Sequence, residues 1–560
     1  MVARELFIVA GILLAVIGVT VSPNCSFATE VNQSRPDDYS VRMLGIRINT
    51  ICKDHVTRVY QDERGQPLVN EKTLSVCGLT VPNTPPTHRN GHRYHALDSI
   101  PDLAYRIDER TQELVLSAGA SGFQVLEVDG TAGNQALPQR PVPGGFFNYD
   151  IIHQSTDFTN STSGTVEIGV FNQLGTGTTT FLASDAPSRS DLVRLNTTWR
   201  RDWPAQARTL SLGDAISRSG SWGRSVQFAG IQWGTNFDTR PDFVTFPLPR
   251  IRGETTVPAS VDLYTNDRRR LQEEIRPGPF SLENIPATVG VNEVQMVIQD
   301  VLGRERVISR PFYVSQSLLK KGLQDFSYEA GAIRQNYALR SNDYGRAFLA
   351  GTHRLGLSER LTGEARVELV EDQRTAGLGL AWLAGPSVGV ITAGAAGSSS
   401  DAGNGALLSL GFNRRGRQNS YGFRYTWTAR DFRQLGIQPG QPAPEQTLSA
   451  HFGTRVADRV SISLGYTGVE RRDGADTRLV DIGLSATVFE QVSLHASFLR
   501  DLENRESIAR LMLSVPLGSR TNASVSHVRQ EDGLDTRLQL QRNMPRGTGL
   551  GYRLSTENSP

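Results

Sequence analysis

The sequence predicts an all-β protein: a large antiparallel transmembrane β-barrel, a small β-sandwich inserted in its first half, and a small mixed domain ahead of it. Three observations support that class. From Phe146 onward the chain divides into about 21 short segments in which apolar and polar residues alternate with a period of two. Glycine is abundant, 54 of 560 residues, and with Asn, Asp and Arg it separates those segments as tight turns. The N-terminus carries the pattern of an export signal. So many strands exceed an ordinary two-sheet domain, whereas outer-membrane barrels reach about 26 strands and more.

Arg4 precedes an apolar run from Leu6 to Val21, and Ser26-Phe27-Ala28 supplies small residues at both positions of a cleavage site. The run of about 16 residues is short of the roughly 20 that span a bilayer as a helix. Residues 1–28 are therefore expected to be a removable signal peptide that sends the chain through the inner membrane. The mature chain keeps Cys52 and Cys77, whose spacing would close a loop worth roughly 3 kcal/mol if bridged in an oxidising compartment. A disulfide ranks first, free thiols second, and metal binding with His55 and the histidines at 88, 92 and 95 a distant third, because no complete ligand pattern is present.

Residues 29–125 read as a compact mixed domain, with strands at Val41–Asn49 and Val56–Gln61 around a turn at Gly65. The histidines at 88, 92 and 95 read as a solvated loop before a strand. Residues 126–145, ending in the Pro/Gly-rich stretch from Pro138, read as a linker. Barrel strands follow over 146–249 and 316–560.

Val460, Ile462, Leu464 and Tyr466 alternate with small residues, and Glu364, Arg366 and Glu368 alternate with Ala365, Val367 and Leu369. The charged set fits a wet lumen, where it would hold a plug. Tyr421, Phe423, Tyr425 and Trp427 share one strand face, as where a barrel wall meets the lipid interface. Between 250 and 315 the rhythm changes to a small β-sandwich, which inside a barrel is a candidate plug.

Composition and motifs exclude other classes. Lys plus Arg number 59 against 57 acidic residues, a net charge of +2, which gives no basic excess for nucleic acid. No nucleophile elbow, zinc-protease helix, phosphate loop or dinucleotide fingerprint stands in a usable context, so neither an enzyme nor a cofactor is expected.

Gly144-Gly145-Phe146-Phe147-Asn148-Tyr149-Asp150, Leu212-Gly213-Asp214, and Phe228-Ala229-Gly230-Ile231-Gln232-Trp233-Gly234-Thr235-Asn236-Phe237 together resemble the outer membrane ushers of the chaperone–usher pathway, which assemble adhesive fimbriae. Pro277-Gly278-Pro279-Phe280 resembles the opening of the family's plug motif. The resemblance implies an N-terminal domain in the periplasm that captures chaperone–subunit complexes, and a barrel of about 24 strands embedded in outer-membrane lipid. It also implies a plug at 250–315, and ushers that can pair as dimers. The short N-terminal domain is most similar to the branch serving archaic, spore-coat-protein-U-like pili.

For capture of the complex, Tyr39, Val41, Met43 and Leu44 are chosen as an apolar edge without an evident partner, with a plain core role at even odds. Against about 24 strands the chain is expected to be short at its C-terminal end, where an odd antiparallel set leaves an unpaired edge. A non-functional fragment and a passive porin are the alternatives, and a secreted adhesin is a third.

Overall fold

The computed structural model describes residues 39–558 apart from 50, 130–141, 156–159, 187–188, 242, 256, 301–302, 439, 490, 532 and 546–547. The signal peptide expected at 1–28 lies outside the described residues. The chain forms two compact units, 1–124 and 125–560.

In the first unit the strands are β1 (Ser40–Ile48), β2 (Ile51–Gln61), β3 (Pro67–Asn70), β4 (Thr87–Arg89), β5 (His92–Ala96), β6 (Leu103–Asp108) and β7 (Glu113–Ala118), with helix α1 (Glu71–Val76) after β3. They form one sheet in the order β4-β5-β3-β2-β1-β7-β6. Alternation along β1 sends Leu44, Ile46 and Ile48 into a core shared with Val59, Val69, Leu74, Leu114 and Leu116. The Asn70 side chain accepts the Lys72 amide at 2.8 Å and so caps α1. Asn49, in the left-handed region at φ 51°, exchanges side-chain hydrogen bonds with the backbone of Ala118, which fastens the end of β1 to β7.

β1 is interior to the sheet only in its second half: it pairs antiparallel with β2 along its length and parallel with β7 over Gly45–Ile48, while Val41, Met43 and Leu44 precede that stretch. The sequence hides the pairing with β7 because β7 lies more than sixty residues downstream. The histidines differ from the solvated loop expected: His88 is in β4, His92 and His95 are in β5, and His95 is buried with Nε2 3.6 Å from Glu71.

The second unit opens with β8 (Leu126–Asp129), then barrel strands β9 (Gly144–Ser155), β10 (Asn160–Asn172), β11 (Gly175–Ala186), β12 (Arg189–Trp203), β13 (Arg208–Ile216) and β14 (Gln227–Thr235). The insert follows as β15 (Ile251–Thr255), β16 (Ala259–Thr265), β17 (Arg268–Ile275), β18 (Gly278–Glu283), β19 (Gly290–Asp300) and β20 (Glu305–Val314). The barrel resumes with β21 (Gln324–Arg334), β22 (Tyr344–Ser358), β23 (Leu361–Val370), β24 (Gln373–Gly385), β25 (Gly389–Ser400), β26 (Gly403–Arg415) and β27 (Asn419–Thr428). It continues from β28 (Gln446–Ala457) to β35 (Tyr552–Asn558).

Among the described residues 21 strands make up the barrel wall, with β14 joined directly to β21 across the insert. Adjacent strands are antiparallel from β9 through to β35. An odd count makes the first and last strands run the same way. β35 nonetheless stands beside β9 and closes the barrel, so the unpaired edge expected from sequence is not found; both strands are exposed along nearly their whole length. Outward positions form an apolar band that includes Leu349, Val367, Leu378, Leu380, Leu408 and Leu410. Tyr425 and Trp427 stand in register with Leu410 and Leu408, so the β27 aromatics lie on that outer face, as their spacing predicts.

The insert is a two-sheet sandwich, β17-β16-β19-β20 against β15-β18-β8. Strict alternation in β16 and β19 buries Val261, Leu263, Val294 and Met296 beside Phe280 and Leu282. Gly253 lies under the Phe280 ring, where a Cβ would overlap it. Leu126–Asp129, assigned to the linker from sequence, is a strand of this sandwich because Leu126 and Val128 reach its core.

Replacing Ile46 with Ala should cost the first unit about 2–5 kcal/mol, whereas Val56→Ala on the exposed face should stay within about 0.5 kcal/mol. Urea denaturation followed by tyrosine fluorescence separates the two.

Candidate functional site

The inward residues of β23 carry the most informative chemistry. Glu364 is 8% exposed, Arg366 1% and Glu368 0%, so they do not face water as the sequence predicted. Two segments fold into the lumen and cover them: residues 217–226 between β13 and β14, and 429–445 between β27 and β28. The turn chemistry of the first is local. Ser217 N–H donates to the Val226 carbonyl and Val226 N–H to Ser217 Oγ, both at 2.9 Å, which closes the loop at its neck.

Arg366 donates from Nε to Glu368 at 2.8 Å, from Nη1 to Thr352 Oγ1 at 2.5 Å, and to the carbonyl of Arg218 in the first segment. Glu368 in turn accepts the Leu435 amide of the second segment at 2.7 Å. Glu364 accepts both the amide (2.6 Å) and the hydroxyl (2.8 Å) of Ser221. Glu329 on β21 accepts the Arg218 amide at 3.0 Å, while the Arg218 guanidinium reaches Asp325 at 2.6 Å. The barrel charges therefore hold the chain's own loop backbone, with paired charges replacing lost water.

Apolar contacts add to this grip. Trp222 is buried with Ala396, Leu407 and Phe432, and Leu435 packs with Phe228, Phe348 and Val370. The wall here is built of small residues. A Cβ at Gly377 would meet Trp222 at 2.7 Å and one at Gly394 would meet it at 3.5 Å, so these glycines make the seat for the indole. Sequence reasoning did not find Arg218 and Trp222; the signal available was the Gly/Ala run on the inward parity of β24–β26.

Asp214 explains the Leu-Gly-Asp motif. Its carboxylate accepts from Arg194, from Arg334 at 3.0 Å, from Tyr344 Oη at 2.8 Å and from the Thr197 amide at 2.8 Å. Gly213, at φ +104°, turns the strand so that this side chain meets all four donors.

The insert meets the barrel at the end where β14 leaves it and β21 enters. Tyr313 Oη accepts the Arg415 amide at 2.9 Å, and Tyr313 and Leu318 pack with Ala381 and Val390. Glu364, Arg366 and Glu368, expected to hold a plug, instead grip the two loops. Pro277 leads into β18 and Gly278-Pro279-Phe280 forms its start, with Gly278 at φ +128° and Phe280 in the sandwich core.

The residues proposed for capture divide. Val41 and Met43 are exposed at 53% and 58%, and Tyr39 lies beneath the Arg89 guanidinium at 4.6 Å. Leu44 faces the core at 1% exposure, because it has the opposite parity on β1. Cys77 is buried at the end of α1, and the Cys52 side chain lies outside the described residues.

Residues 183–435 match the family model "Outer membrane usher protein", a range that takes in the lumen-filling loop, the insert and β21–β27. The chain is 24% identical over 219 residues to the outer membrane usher protein FocD of Escherichia coli, covering 38% of this chain and 25% of FocD. It is 28% identical over 191 residues to the outer membrane usher protein FimC of Bordetella pertussis, covering 33% and 21%. The alignments thus span about a quarter or less of these relatives' length. The fold is similar to a chain in the cryo-EM structure of the E. coli P pilus tip assembly intermediate PapC-PapD-PapK-PapG, with a TM-score of 0.56 at 16% identity, covering 96% of this chain and 73% of that one.

Two measurements test the lumen. Arg366→Met should leave Glu368 buried without its partner and destabilise the barrel by about 3–5 kcal/mol, read as a lower temperature for loss of the heat-modifiable gel band. Arg218→Ala combined with Trp222→Ala should raise single-channel conductance in planar bilayers several-fold; an unchanged conductance would show that residues 217–226 do not block the path. By the match over 183–435, somewhat under half of its length, and by the relatives that align with it, the chain is similar to the outer membrane ushers.

Proposed function

We propose that this chain acts in the outer membrane as a fimbrial assembly platform, which captures chaperone–subunit complexes from the periplasm and passes the growing fibre through its barrel. The observation that carries the reading is a wide barrel with two of its own segments folded onto its inner wall and a separate sandwich inserted between two of its strands. A diffusion porin has no use for the inserted sandwich or for the folded N-terminal unit. A secretion channel for folded subunits needs an internal closure, since the open pore would leak.

Capture is assigned to the outer face of β1 and β2. Val41, Met43 and Val56 are exposed there beside a small cluster of Tyr39, Tyr60, Leu68 and Tyr94. An apolar patch on an otherwise polar domain is a docking surface for a partner of matching character. Polymerisation then runs on strand exchange between subunits, in which an incomplete sheet gains a strand, and this needs neither nucleotide nor cofactor. The protein's part is to orient the complexes and to open on demand.

Val41→Asp with Met43→Asp should reduce chaperone–subunit complex recovered with the purified chain by about tenfold, the equivalent of 1.4 kcal/mol, while circular dichroism stays unchanged. Full recovery with the double variant would move capture to another surface.

A further inference from the structure

We propose that β8 is a detachable strap: the segment leaving the N-terminal unit supplies the third strand of the insert's smaller sheet, so movement of that segment and release of the insert are one mechanical event. The strap itself stands on geometry, and only its effect on the pore rests on the function proposed above.

β18 lies between β15 and β8, and β8 pairs with it in parallel from Leu126 against Phe280 to Asp129 against Glu283. The strand has four residues and is the outermost of its sheet among the described residues, and parallel pairing is the weaker kind. Leu126 and Val128 pack half-buried on the sandwich core while Glu127 and Asp129 face solvent. Such a strand adds order to the sandwich but is its least anchored part.

The charge arrangement places the strap at the root of the insert. Asp129 and Glu283 stand directly opposite each other, a like-charge pairing that disfavours the register. Lys320, half-buried on the segment leaving the insert, is pulled down in pKa by burial and pushed back up by Asp129, Glu359 and Glu283. Its ammonium also donates to Asn284 at 2.9 Å. Arg250, on the segment entering the insert, pairs with Glu283 at 3.0 Å. The Lys320 amide bonds the Thr245 carbonyl at 2.9 Å, so the entering and leaving segments are tied to each other there. β8 therefore docks where the entering and leaving segments of the insert meet, starting two residues after Gln124, the end of the N-terminal unit.

Hydrogen exchange by mass spectrometry on the full chain in detergent tests this. Lys320→Glu, which adds a carboxylate beside Asp129 and Glu283, should speed exchange of residues 126–129 and 278–283 by about tenfold or more, with β16 and β19 unchanged and Lys320→Arg behaving as wild type. Val128→Asp carries the same expectation should Lys320→Glu not accumulate. Unchanged exchange at 126–129, or acceleration spread equally through β16 and β19, overturns the strap. Bilayer conductance separates the two claims: faster exchange with longer open times supports the coupling, and faster exchange with unaltered conductance overturns the coupling to the pore.

Discussion

A guanidinium withdrawn from water costs several kcal/mol unless its donors find acceptors, and Arg366 is withdrawn almost completely. Its donors go to Glu368 on its own strand, Thr352 on β22 and the backbone of residues 217–226. Glu368 passes the connection to residues 429–445 through Leu435. One ion pair thus joins the wall to both folded-in segments. A loosened loop would leave a buried charge with an incomplete set of partners.

The same requirement shapes the wall around it. A strand sends alternate residues to lipid and to lumen. On β24 the outward positions are Leu378, Leu380 and Trp382, and the inward ones include Gly377 and Gly379. Lipid needs bulk on one side, and an indole and a loop backbone need room on the other. A composition that looks like a weak, glycine-rich strand is the outcome of satisfying both.

Polar satisfaction also governs the strand end that leads into the first loop. Asp214 gathers two arginines, a tyrosine hydroxyl and a backbone amide, and in doing so ties β12 and β13 to the end of β21 and the start of β22. The insert is secured differently, through the side chains at its entering and leaving segments and through the short strand that arrives from the N-terminal side. The two folded-in segments are thus held by buried charge, and the insert by a small, partly solvated root.

The period-two alternation and turn-rich spacing determined the barrel, its strand count and the outward aromatics of β27, because each strand meets lipid or lumen residue by residue. They also placed the inserted sandwich, where the rhythm breaks. The partners of the inward charges were decided only by tertiary structure. Arg366 lies nearly 150 residues from the Arg218 carbonyl it binds, and nothing in local periodicity distinguishes a charge facing water from one facing a folded-in loop. For the same reason Leu126–Asp129 read as linker: β18, which pairs with it, is far away in sequence, and strand pairing across such distances is set by the packing of the whole sheet.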